Sequence, residues 1–128
     1  MITEKLSLVI PTYRRERPIL KILDSLNSQI SNNIFIEVNI CDSFSNYDDK
    51  KFKAYKDNID IKYYNIKKNI LASKRNFGIN KSSFNRLILI DDDCMPNDNF
   101  LEIYLNDFSN IDENTILSGI VLYPQEYI

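Results

Sequence analysis

Apolar residues along the chain alternate between short unbroken runs and stripes spaced by a helical turn. The run "LSLVI" at positions 6–10 predicts a buried strand that stops at Pro11, which has no N–H to give to a ladder. Pro18 suits the first turn of a helix, and Ile19, Leu23, Leu26 and Ile30 recur at helical spacing, which predicts a core-facing helix to about Gln29. "IFIEVNIC" (34–41) is rich in β-branched residues and predicts a second strand, with Glu37 and Asn39 giving local alternation. A polar loop, "DSFSN", and a short charged helix near 47–56 follow. "IDIKYYNI" (59–66) predicts a third strand, "LASKRNFGINKSS" (71–83) a helix in spite of Gly78, and "RLILI" (86–90) a fourth strand. Asn97 or Asp98 can cap a helix carrying Phe100, Leu101, Ile103, Tyr104, Leu105 and Phe108, and "TILSGIVLY" (115–123) predicts a last strand.

Almost strict alternation of strand and helix argues for an α/β architecture. The expected fold is a Rossmann-like, doubly wound, mainly parallel sheet with helices on both faces, formed by one domain over residues 1–128. Such sheets bind ligands outside the carboxyl ends of their strands. The rule selects "PTYRR" after the first strand, "DSFS" after the second and "DDD" after the fourth, and predicts that all face one crevice.

Composition narrows the picture. Hydrophobic residues make up 44% of the chain, enough for a core, and a net charge of −2 gives no electrostatic reason to expect nucleic acid. No stretch approaches the roughly 20 apolar residues of a membrane span, and the N-terminal run lacks the pattern of a secretory signal. Cys41 and Cys94 have no metal-type spacing and are expected as free thiols in a reducing cytoplasm. The chain has no histidine, so any mechanism needing its own imidazole is excluded.

In "LILIDDDCMP" an apolar strand runs straight into three carboxylates. Two unit charges ~4 Å apart repel by about 1 kcal/mol in water and about 4 at the effective dielectric near a protein surface, so a cation is expected there. If extended geometry persists, Asp91 and Asp93 point one way and Asp92 the other. Hard oxygen ligands favour Mg²⁺ or Mn²⁺, and Mg²⁺ needs only one or two carboxylates when phosphates complete its shell. The alternative is a solvated acidic turn that helps to cap the following helix.

"LSLVIPTYRR", "IEVNICDSFS", "LASKRNFGI" and "LILIDDDCMP" together resemble, in order and spacing, the N-terminal part of family 2 glycosyltransferases, enzymes of the nucleotide-diphospho-sugar transferase fold. The resemblance implies a nucleotide-binding set of Pro11, Thr12, Tyr13, Asp42, Arg75, Asp91 and Asp92. Pro11, Thr12 and Tyr13 would pack against the base, Asp42 would accept from uracil N3–H, and Arg75 of "KRNFG" would face the phosphates. Lys74 would be a solvated neighbour, and Asn76 and Gly78 would serve the helix start and its packing. Asp91 would approach the ribose and Asp93, with Asp91, would hold Mn²⁺ or Mg²⁺. The implied function is binding of a nucleoside-diphosphate sugar, a UDP-sugar, for transfer to an acceptor hydroxyl in polysaccharide biosynthesis. The partners would be that donor and a glycan or lipid-linked acceptor, in the cytoplasm or peripheral to a membrane through further regions.

The chain also departs from the family. Members commonly carry a second acid and a glycine after strand two, where this chain has Ser43 and Phe44, and Phe44 would narrow the base pocket. No acid here matches the general base of inverting members. The expectation is therefore a donor-binding part without the acceptor and catalytic-base region, or a non-catalytic sugar-nucleotide module. A remote alternative is a haloacid-dehalogenase-type phosphatase, with Asp91 as nucleophile and Asp93 as general acid.

Overall fold

The computed structural model describes residues 1–44, 52 and 54–122. Its elements are β1 (Glu4–Pro11), α1 (Glu16–Gln29), β2 (Ile34–Asp42), β3 (Ile59–Asn65), α2 (Leu71–Lys81), β4 (Leu87–Leu89) and α3 (Phe100–Phe108). The strands form one parallel sheet in the order β3-β2-β1-β4. β1 and β2 lie inside it, which is why both read as near-continuous apolar runs. The chain winds outward to β3, then crosses back through α2 to place β4 on the other side of β1. The direction of winding therefore reverses beside β1, where doubly wound sheets open a crevice.

The two faces of the sheet differ. Leu6, Leu8 and Ile10 alternate with Ser7 and Val9 along β1, and Ile36, Val38 and Ile40 alternate with Glu37 and Asn39 along β2. The first set joins Ile19, Ile22, Leu23 and Leu26 of α1 and Leu101 and Leu105 of α3 in the hydrophobic core. The second set faces α2. There Gly78 lies so close to the sheet that a Cβ would stand 2.4 Å from Val9 Cγ1 and 3.1 Å from Cys41 Sγ. Glu37 and Asn39 are buried, so the alternation in β2 marks a polar layer under a helix and not a solvated face.

Two predicted features differ from the structure. Residues 115–122 form no strand, and Ile116 and Leu122 stand 96% and 84% exposed. A β-branched run becomes a strand only against a partner edge, and no described residue pairs with this one; Tyr123 lies outside the described residues. Neither Asn97 nor Asp98 caps α3, whose N-cap is Asn99 without a side-chain bond. Instead Gln29 at the end of α1 accepts from the Leu101 amide (2.9 Å) and donates to the Asn97 carbonyl (2.6 Å), so the orphan donor is satisfied from another helix. The short helix expected near 47–56 falls mostly outside the described residues.

Both cysteines are free thiols, Cys41 buried and Cys94 half-buried. No helix among the described residues is long and apolar enough to cross a membrane.

Candidate functional site

Residues at the carboxyl ends of β1 and β4 and at the start of α2 enclose a crevice of about 410 Å³, lined by Pro11, Thr12, Tyr13, Arg15, Asn69, Leu71, Lys74, Asp91, Asp92 and Asp93. The first loop and the acidic cluster thus meet, as the strand-end rule predicts. Arg75 is not in the wall but reaches it, donating to Asp91 Oδ1 at 2.6 Å.

Extended geometry does not persist through the acids. β4 ends at Leu89, and the Cys94 amide donates to the Asp91 carbonyl (3.1 Å), closing a turn. The three carboxylates separate on this turn. Asp91 pairs with Arg75, while Asp92 accepts from Thr12 Oγ1 (2.8 Å) and from Arg15 (3.3 Å). Asp93 is more open and accepts a weak bond from the Cys94 thiol (3.7 Å). Arginines of the protein itself thus pair with two of the three adjacent acids, Asp91 and Asp92. Burial and the three aspartates push the Cys94 thiol above its usual range, which disfavours a thiolate beside them.

Lys74 corrects the expectation of a solvated neighbour. It is 2% exposed, and its ammonium donates to the Thr12 carbonyl (2.7 Å) and to Asn69 Oδ1. The ammonium also stands 5.4 Å from the centre of the Tyr13 ring, within cation–π reach. Burial draws the Lys74 pKa below its usual range, while Asp42, Asp92 and Cys41 oppose the shift. The sequence carried a signal for this placement. Gly78 must face the sheet, and Lys74 lies one turn earlier on the same helix face. Arg15, Asn69 and Leu71 are further wall residues to which the motifs gave no role. Asn76 lies exposed in mid-helix and not at the helix start.

Asp42 stands apart from the crevice wall. It is fully buried; Oδ1 accepts from the amides of Arg14 (2.9 Å) and Ser43 (2.7 Å), and Oδ2 from the Tyr63 hydroxyl (2.9 Å). Its carboxylate clasps the loops after β1 and β2 together. Arg14 Nε adds a bond to the Phe44 carbonyl (2.8 Å) across the same junction. Arg14 and Phe44 both have φ of 54°, a left-handed conformation costly for side chains other than glycine. Phe44 occupies the loop where the resembling family commonly has glycine.

Among the described residues no group of three or more Cys, Asp or Glu side chains is arranged to hold a metal ion unaided. The donor chemistry nevertheless fits a hard cation: Asp91 and Asp93 are exposed carboxylates on one turn of the crevice wall.

Comparison with known proteins is consistent with this architecture. The family model described as glycosyl transferase family 2 matches residues 7–127. Among solved structures, Staphylococcus aureus TarS 1-349 superposes with a TM-score of 0.63 at 20% identity, over 83% of this chain and 32% of that one. The same protein in complex with UDP-GlcNAc gives 0.63 at 19% identity, over 83% of this chain and 31% of that one. Its complex with UDP gives 0.61 at 18%, over 83% and 32%. At these identities the likeness shows the fold, the nucleotide-diphospho-sugar transferase architecture, and the chain spans about a third of the length of those structures. No curated protein matches the chain.

Proposed function

Because the chain belongs to glycosyl transferase family 2, we propose that its crevice binds the diphosphate end of a nucleotide sugar, with UDP as the nucleotide. The observation that carries this reading is the convergence of Tyr13, Lys74 and residues 91–93 on one crevice at the sheet's switch point, with Arg75 paired to Asp91. The UDP and UDP-GlcNAc named with the similar TarS structures support the choice of nucleotide.

The exposed Tyr13 ring offers a face for the base, with Pro11 and Thr12 shaping the wall beneath it. Asp91 and Asp92 approach the ribose side, and Arg75 is the phosphate-facing fork, since a guanidinium matches phosphate oxygens in pairs. Asp42 affects base choice indirectly, by fixing the loop that carries Tyr13 and the strained Phe44. Asp93, with Asp91, would hold Mn²⁺ or Mg²⁺, completed by the diphosphate. That ion would supply Lewis-acid stabilisation as negative charge gathers on the departing diphosphate. The wider reaction is attack of an acceptor hydroxyl on the anomeric carbon while its bond to the diphosphate breaks. No acid in this chain matches the family's general base, so residues 1–128 are assigned the donor-binding role within one domain.

Titration calorimetry of UDP against the folded chain tests the reading. Binding should require Mn²⁺ or Mg²⁺, disappear on chelation, and be abolished in Asp93→Ala. Absence of metal-dependent affinity for every nucleoside diphosphate would refute it. Binding without hydrolysis or transfer of the sugar would identify a sugar-nucleotide module instead of an enzyme.

A further inference from the structure

A buried carboxylate outside the crevice holds the segment that connects two of its walls. Glu37 lies in the middle of β2, 1% exposed, on the face toward α2, and the parallel register puts Ser7 and Asp60 on either side of it. Its Oε1 accepts from Ser7 Oγ (3.0 Å), Asn39 Nδ2 (3.1 Å) and the Ser83 amide (2.9 Å). Its Oε2 accepts from Lys62 Nζ (3.0 Å) and Ser83 Oγ (2.6 Å). Around this centre Asn39 also donates to Ser82 Oγ (3.2 Å), and Ser7 Oγ accepts from the Phe84 amide (3.3 Å). Residues 82, 83 and 84 are thus each tied to Glu37 directly or through one neighbour.

That segment joins α2, which carries Lys74 and Arg75, to β4, which delivers residues 91–93. α2 has little apolar hold on the sheet. The residues it buries are Lys74 and Gly78, and Phe77 adds an edge contact to Tyr64 at 5.1 Å. A helix without a buried apolar stripe must take its position from other bonds. A buried carboxylate that accepts five bonds defines geometry sharply, because each displaced donor leaves a desolvated group unpaired.

We infer that Glu37 is a positioning residue of the crevice: it fixes the α2–β4 connection against the sheet and thereby sets Lys74 and Arg75 relative to Asp91. The ligand readout of this inference rests on the donor-binding reading above; the anchoring itself does not.

Amide hydrogen exchange and UDP binding would be measured on the wild type, Glu37→Gln, Ser83→Ala and Ser83→Thr. Glu37→Gln turns one acceptor into a donor, and Ser83→Ala removes the 2.6 Å bond at an exposed position where folding is not at risk. In both, amides of residues 78–84 should exchange about tenfold faster or more while β1 and β2 keep their protection. Metal-dependent UDP affinity should fall roughly fivefold to tenfold, while uridine affinity changes less than about twofold, because the Tyr13 loop is clasped separately by Asp42. Ser83→Thr keeps the hydroxyl and should retain both properties. Unchanged protection of 78–84 in the variants, equal loss throughout β1 and β2, or UDP affinity unmoved while α2 loosens would each overturn the inference. A wild type that binds no nucleoside diphosphate would refute the donor reading alone, and the exchange data would still decide the anchoring.

Discussion

Lys74 has its methylene stem buried and its ammonium bridging the loops that precede α1 and α2. Lys74→Met keeps the stem and removes the charge. UDP affinity should then fall about tenfold to a hundredfold, the scale of a lost charge-assisted bond of roughly 1.5–3 kcal/mol, as read by calorimetry. At Gly78 the close approach of Val9 dominates helix propensity. Alanine would gain about 1 kcal/mol as a helix former but overpack the buried Val9, for a net loss of roughly 1–2 kcal/mol in urea unfolding. Val9→Ala in the same chain should return part of that loss. Phe44 offers the opposite case. Its left-handed φ means that Phe44→Gly should stabilise the fold by up to about 1 kcal/mol, an outcome that the same unfolding measurement checks. The sequence marked each of these positions differently. Gly78 was legible as a packing glycine, and the burial of Lys74 beside Arg75 was legible only through its place one turn before Gly78 on the same helix face.

Between elements, polar side chains do what apolar stripes do within the core. Gln29 of α1 closes the N-terminus of α3, so Gln29→Ala should cost about 1–2 kcal/mol, comparable to loss of an N-cap. Glu37 gives the fold a pH dependence of definite sign. Burial alone would raise its pKa, but bonds from Ser83, Lys62 and Asn39 outweigh it and bring the value from 4.5 to about 2. A carboxylate depressed in the folded state contributes fully above its unfolded pKa, and the contribution disappears as pH falls toward about 2. Wild type should therefore lose about 3 kcal/mol more than Glu37→Gln between pH 6 and 2, measured by urea unfolding at each pH. At this scale the periodicities located the described strands and helices within a few residues. They misjudged 115–122, where β propensity had no partner edge, and the cap of α3, where the bond crosses between helices distant in sequence.

Over the whole molecule, Asp91 and Asp92 after β4 are already paired with Arg75 and Arg15, and Lys74 lies near Asp92. Arrival of a metal–diphosphate complex would exchange partners: carboxylates pass to the cation and arginines become available to phosphate. Surface ion pairs of this kind are worth little individually, so the exchange is cheap. UDP with its metal, at about a hundredfold excess over its dissociation constant, should stabilise the fold by about 2.7 kcal/mol, visible as a higher thermal midpoint that chelation removes. The sequence by itself determined the α/β alternation, the parallel sheet and the gathering of the β1 and β4 loops at one rim, because hydrophobic period and crossover handedness are local properties written in order along the chain. Only the tertiary structure decided that Asp42 is a buried clasp, that the Lys74 ammonium bonds Thr12 and Asn69, and that Glu37 anchors the segment leading to the acids. Those outcomes depend on which donors meet a given side chain across the fold, and no spacing along the chain encodes that.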